Sequence, residues 1–227
     1  MPRIKDNLLL IRGKIDRAAQ VSGRRGEDIT LVAVTKQVGP ELIAEALLSG
    51  VDQIGESKIQ EAEAKFKLLP PGVKRHLIGH LQTNKVNKAI QMFDMIQSVD
   101  SFKLAAEIDR KSVAKQMSVL VEVNISGEAG KNGIPPTQTV EFLKELESFQ
   151  NLEIQGLMTI GPNTTEIEKI RSSFREMSKL FRQASELSLS NCRMQYLSMG
   201  MSADYEIAIQ EGSNMVRVGT ALFGARN

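Results

Sequence analysis

Apolar residues recur along this chain in two alternating rhythms. Ile4, Leu8, Ile11, Ile15 and Ala18 fall at helical spacing and Gly23 ends the run, which predicts an amphipathic helix at the start. Ile29-Thr30-Leu31-Val32-Ala33-Val34-Thr35 then reads as a short strand that is apolar on both faces, as strands of parallel sheets are. Strand-like segments follow at 52–55, 75–78, 95–99, 118–124, 153–159, 194–198 and 215–218. Helical patterns lie between them at 40–49, 57–68, 83–92, 101–115, 137–149, 165–188 and 203–211. Eight strands alternating with helices predict an α/β chain whose parallel sheet closes into a (β/α)₈ TIM barrel, with an additional N-terminal helix. An open, doubly wound sheet is the rival. No Pro/Gly/Ser-rich linker or composition break interrupts the pattern, so 1–227 reads as a single domain.

Composition narrows the function. The length of 227 residues is close to the ~250 of a typical barrel. With 29 basic and 27 acidic residues the net charge is +2, which gives no argument for a nucleic-acid or membrane-surface partner. Tryptophan is absent and aromatics are 4%, which weakens any base-stacking platform. Cys192 is the single cysteine, so no intrachain disulfide forms, as suits a reducing cytoplasm. The first residues lack the apolar run of a signal peptide, and no stretch approaches the ~18 apolar residues of a membrane span.

In such a barrel the chemistry sits at the C-terminal ends of the strands. Lys36 directly follows the first apolar strand. Partial burial there lowers an amine's pKa and exposes the lone pair that attacks an aldehyde. The bland alternative is a lysine that snorkels out to solvent. The seventh strand runs into Leu197-Ser198-Met199-Gly200-Met201-Ser202, and the eighth into Arg217-Val218-Gly219-Thr220. Barrels often bind phosphate with these two loops, and their glycines and hydroxyls suit it. Ser202 also reads as an N-cap of the helix that follows. Each loop alone is weak, because Ser and Gly begin many loops; a phosphorylated aldehyde uses lysine and loops together. Arg217 lies within strand eight, where a charge needs a partner. It points either into the mouth toward a ligand or outward to an acidic helix residue.

At these residues the chain resembles the YggS/PROSC family of pyridoxal 5′-phosphate (PLP) homeostasis proteins. The most specific stretches are Ile78-Gly79-His80-Leu81-Gln82 and Leu197-Ser198-Met199-Gly200-Met201-Ser202, and the similarity runs nearly end to end. The resemblance implies the barrel domain of alanine racemase without its second, all-β domain. It implies that Lys36 carries PLP as a Schiff base. Ser198, Gly200, Gly219 and Thr220 would surround the phosphate, with Met199 and Ser202 nearby. Arg217 would face the pyridine nitrogen, and His80 and Met158 would line the ring pocket. One departure is plain: the family commonly reads Gly-Glu-Asn-Tyr where this chain has Gly55-Glu56-Ser57-Lys58. The family asparagine's polar contact is not carried over to Ser57.

An arginine beside the pyridine nitrogen cannot accept its proton, so the ring becomes a weak electron sink. Racemisation also needs a second acid/base opposite the lysine, and neither Tyr196 nor Tyr205 lies in a recognisable base motif. The expected role is therefore a monomeric, cytoplasmic PLP carrier or buffer with little turnover, whose partners are PLP and apo PLP-dependent enzymes. The alternatives are a PLP racemase, an aldolase-like barrel whose lysine takes substrate directly, and a non-catalytic regulatory partner. Gly127-Glu128-Ala129-Gly130-Lys131-Asn132 lacks the spacing of a Walker loop and reads as a flexible connection. His76, His80 and Cys192 lack metal-ligand spacing, and Cys192 reads as a packed residue. Lys85 and Lys88 read as a solvated helix face.

Overall fold

The structure is a computed structural model that describes residues 4–224. Helix α1 (Ile4–Val21) precedes β1 (Thr30–Val34), α2 (Pro40–Leu48), β2 (Gln53–Glu56) and α3 (Ile59–Phe66). Next come β3 (Lys74–Leu77), α4 (Val86–Met92), β4 (Met95–Val99), α5 (Phe102–Lys111) and β5 (Met117–Glu122). The chain continues through α6 (Thr139–Glu145), β6 (Leu152–Met158), α7 (Ile167–Ser185), β7 (Cys192–Met201) and α8 (Tyr205–Gln210). It ends in β8 (Met215–Val218) and a short α9 (Thr220–Phe223). The eight strands form a closed parallel barrel in chain order, β8 pairing back onto β1 from Thr30–Met215 to Ala33–Val218. The expected (β/α)₈ fold with a leading helix is therefore what the chain adopts, and the open sheet is excluded. Among the described residues no helix is long and apolar enough to cross a membrane.

Strand alternation sorts the side chains into two cores. Outward residues such as Leu31, Ala33, Ile54, Leu77, Val119, Val121 and Val216 pack under the helices in one continuous cluster. Inward residues Val32, Met95, Leu120, Met158 and Met215, with Tyr196, fill the barrel itself. Helix α1 lays its Ile4, Leu8, Ile11 and Ile15 stripe on that outer core beside α8 and α9. The Asn7 side chain ties it there by donating to the Leu222 carbonyl at 2.8 Å.

Strand β7 and the Ser202 cap differ from the sequence expectation, and α9 is an element it does not include. Strand β7 is longer than 194–198, running from Cys192 to Met201. Its first half alternates half-buried with exposed residues, which hides it from an apolar-run reading. Its register with β8 shifts between Ser198 and Met201, across Gly200, at φ 94°, where a Cβ would sit 2.6 Å from the Ala208 Cβ and 2.8 Å from the Tyr205 Cα. Gly200 thus lets α8 pack directly on the strand. The other difference is Ser202, which does not cap α8. Asp204 holds that N-cap position, and its Oδ1 accepts from the Met201 N–H at 2.6 Å. The Ser202 hydroxyl oxygen instead accepts from the N–H groups of Gly219 (3.2 Å) and Ala221 (3.3 Å), at the start of α9. That four-residue helix is too short to leave a periodicity in the sequence.

Candidate functional site at the barrel mouth

Lys36 sits half-buried, two residues past the end of β1, in a turn locked from outside the barrel. Its neighbour Gln37 has φ 59°, a left-handed conformation that costs a non-glycine residue about 1 kcal/mol or more. A polar cluster holds the turn in place. The fully buried Glu56 accepts through Oε1 from the Thr35 hydroxyl and from Lys65 Nζ, both at 2.7 Å. Lys65 also donates to the Thr35 carbonyl at 2.6 Å, and Glu61 accepts from the Gln37 N–H at 3.0 Å. Helix α3 thereby fixes the backbone on either side of Lys36.

Lys36, Ser202, Arg217, Gly219 and Thr220 converge on one cavity of about 390 Å³, with Ser57 on its wall. Ser202 and Thr220 have hydroxyls that donate to no acceptor among the described residues, so both are free to serve an anion. A larger cavity of about 610 Å³ lies beside it and shares Ser57. That one contains His80 but neither Lys36 nor Arg217, so the smaller cavity holds the convergent chemistry. His80 is half-exposed, with Nδ1 3.0 Å from Asp100 Oδ2.

The remaining sequence candidates lie deeper. Met158 is fully buried in the barrel interior and Met199 in the outer core, and neither lines the cavity. Ser198 is fully buried below the cavity floor. Arg217 is the floor. Its two orientations are now resolved: the guanidinium points inward, 3% exposed, with Nη1 donating to Ser198 Oγ at 2.6 Å and Nη2 to the Thr159 carbonyl at 2.8 Å. Burial lowers its pKa to about 10, opposed by Glu122 and Asp204, so it remains a cation at neutral pH.

Below Arg217 a chain of hydrogen bonds runs down the barrel. Arginine can only donate, so Ser198 accepts from it and turns its own proton to Gln97 Oε1 at 2.7 Å. The Gln97 amide N–H then faces His76 Nδ1 at 3.0 Å, which must accept. His76 therefore carries its proton on Nε2 and donates to Gln53 Oε1 at 3.0 Å. From Arg217 Nη1 through Ser198, Gln97 and His76 to Gln53, each donor in this column points away from the mouth. Sequence reading missed this column; its one signal was Gln97 within the largely apolar β4, where a polar group needs a partner, whereas His76 follows Lys74 and Arg75 and does not stand out.

Burial holds the His76 imidazole down at about 4, against about 6.5 in an unfolded chain. A depressed histidine contributes stability that is present above pH ~6.5 and lost as pH falls toward ~4, here about 3 kcal/mol. Urea unfolding from pH 7 to pH 4 should therefore show a loss of that size in excess of the loss in His76→Asn. Equal losses in the two proteins would contradict a neutral, buried His76.

Cys192 is half-buried and its thiol is pushed up to about 11 by burial, which leaves it protonated and unreactive, as expected of a packed residue. Among the described residues no three His, Cys, Asp or Glu side chains gather as a metal site.

Comparison with known proteins bears on the fold and the family. The family model for the alanine racemase N-terminal domain matches residues 8–227. The chain is 36% identical to the pyridoxal phosphate homeostasis protein of Haemophilus influenzae over 229 residues, 99% of this chain and 96% of that one. It superposes on a solved protein of unknown role from Bifidobacterium adolescentis with TM-score 0.90, at 36% identity, over 97% of this chain and 94% of the other. PipY of Synechococcus elongatus, solved with PLP bound, superposes with TM-score 0.81 at 32% identity, over 93% of this chain and 100% of PipY. The chain belongs to the family of pyridoxal phosphate homeostasis proteins, built on the alanine racemase N-terminal barrel.

Proposed function

We propose that this chain binds PLP as a Schiff base on Lys36 and serves vitamin B6 homeostasis as a carrier or buffer, as a monomer in the cytoplasm. The observation that carries the reading is the convergence of an amine, two free hydroxyls and a buried guanidinium on one cavity. That donor set fits the three parts of the cofactor. Lys36 serves the aldehyde carbon. Ser202 and Thr220 serve the phosphate with their hydroxyls, beside Gly219, in the place where barrels often bind one. Arg217 serves the ring nitrogen. PLP itself supplies a carbon that condenses with amines and a ring that withdraws electrons. The protein's share is to hold Lys36 in its locked turn and to keep a permanent cation under the ring. His80 serves the rim of the mouth, while Ser198 and Met158 support from below; Gly200 and Met199 set the backbone of β7. PipY, a full-length relative with PLP bound, supports the assignment.

The same Arg217 argues against turnover. It keeps its own proton at neutral pH, and although one N–H on each of Nη1 and Nη2 goes to Ser198 and Thr159, the guanidinium has further N–H groups to offer a ring nitrogen and no site to accept a proton from it. A ring nitrogen facing it stays unprotonated, and a carbanion next to the ring is poorly stabilised. Neither tyrosine supplies the opposite base: Tyr205 is buried in the outer core and Tyr196 packs inside the barrel. Incubating the PLP-loaded protein with L-alanine and following chirality should show no racemisation beyond that of free PLP. Efficient racemisation would overturn the carrier reading and favour a racemase.

A further inference from the structure

Glu122, the last residue of β5, turns its side chain into the barrel mouth. It is 5% exposed and lines a third cavity of about 230 Å³ together with Asn124, Lys131 and Ile160. Its carboxyl has no hydrogen-bond partner among the described residues. The other charged group on that wall is spoken for: Lys131 Nζ donates to Glu128 Oε1 (2.8 Å), to the Gly161 carbonyl (2.8 Å) and to Ser126 Oγ (3.3 Å). The Asn124 amide donates to the carbonyls of Glu128 (3.1 Å) and Lys131 (3.3 Å). The unengaged group is thus a buried carboxyl, which is costly without a donor. Burial and the nearby Asp100 push it up to about 7, while Arg217 and His80 oppose the shift.

Ile160 is a wall of both this cavity and the one that holds Lys36. In a ring of eight strands β5 stands across from β1, so Glu122 and Lys36 flank the mouth from opposite sides. A divalent metal would need several oxygen ligands, and no group of three His, Cys, Asp or Glu surrounds the site among the described residues. A small cation that brings its own N–H donors fits a lone carboxylate.

We propose that Glu122 is a subsite for the ammonium group of a primary amine and that its carboxylate takes that group's proton. One N–H bond breaks, one carboxyl O–H bond forms, and the amine keeps the electron pair. The proposal rests on the reading that Lys36 carries PLP in the adjoining cavity. A neutral amine is the nucleophile that competes with Lys36 for the aldehyde carbon, so the subsite makes cofactor release respond to amines. It handles a nitrogen-bound proton and therefore places no demand on the weak electron sink above Arg217.

Two measurements test it. In the first, the Glu122 carboxyl ¹³C resonance of the cofactor-free chain, assigned with Glu122→Gln, is titrated with pH. Methylammonium chloride or Nα-acetyl-lysine amide is added, against sodium chloride as control. A fall in the carboxyl's apparent pKa with either amine is expected, and the amine with the larger effect tells a free amine from a protein side chain. No difference from sodium overturns the subsite. In the second, methylammonium is added to PLP-loaded protein and the bound absorbance is followed. Glu122→Gln should take up PLP like the wild type yet need about tenfold more amine to release it, the worth of one charge-assisted hydrogen bond. Equal amine sensitivity overturns the proposal while leaving the PLP reading intact. Failure of the wild type to take up PLP removes that reading, and the first measurement still decides the subsite.

Discussion

Lys36→Ala is expected to abolish the visible absorbance that PLP acquires on binding the wild type. It should also weaken PLP uptake by about a hundredfold or more, corresponding to ~3 kcal/mol. The amine of Lys36 is the group on the cavity wall able to condense with an aldehyde. The phosphate donors at Ser202 and Thr220 survive the substitution, so a weak, uncoloured association should remain. Folding should be little affected, within ~0.5 kcal/mol, because the Lys36 side chain lies half-exposed above the core and the lock on its turn is made by Thr35, Glu56, Lys65 and Glu61. Lys36→Arg keeps the charge but cannot condense and should also stay colourless. Spectral titration of the three proteins checks this, and an alanine variant with the wild-type band would contradict it.

Ser198→Ala is expected to have the largest effect on stability, and it separates two accounts of this residue. Family resemblance implies a serine near the phosphate. The structure commits its hydroxyl in both directions: it accepts from Arg217 and donates to Gln97. Alanine strands a buried guanidinium N–H and a buried amide carbonyl together. Each orphaned group costs about 1–3 kcal/mol and the charged one more, so a loss of about 3 kcal/mol or more is expected. A residue that only touched phosphate would lower PLP affinity and leave the cofactor-free protein as stable as before. Urea unfolding of the cofactor-free variant therefore decides between them: a large drop in midpoint supports the column, and an unchanged midpoint contradicts it.

The sequence made the barrel legible because most of its strands are short apolar runs between helical periods. Where the strand was amphipathic, as in the first half of β7, its length was underestimated. The position of Lys36 was legible for the same reason that β1 was: a lysine after Leu31-Val32-Ala33-Val34 can only sit at a strand's end. The lock around it was not, since Glu56, Glu61 and Lys65 meet Thr35 and Gln37 only once β2 and α3 are folded against β1. Arg217 was ambiguous because a single charge in a strand does not reveal which face it takes until the register with β1 is known. Its resolution inward exposed the column through Gln97 to His76. Glu122 was passed over for a related reason. Read along the chain it ends an apolar strand, and only closure of the ring sets it across the mouth from Lys36.

The most direct test of the account is chemical trapping on the unmodified protein. PLP-loaded wild type is treated with borohydride, which fixes a Schiff base as a stable secondary amine, and the digested chain is mapped by mass spectrometry. The account predicts one dominant adduct, on the peptide that carries Lys36. An adduct on another lysine, or no adduct on a protein that has taken up PLP, would contradict it.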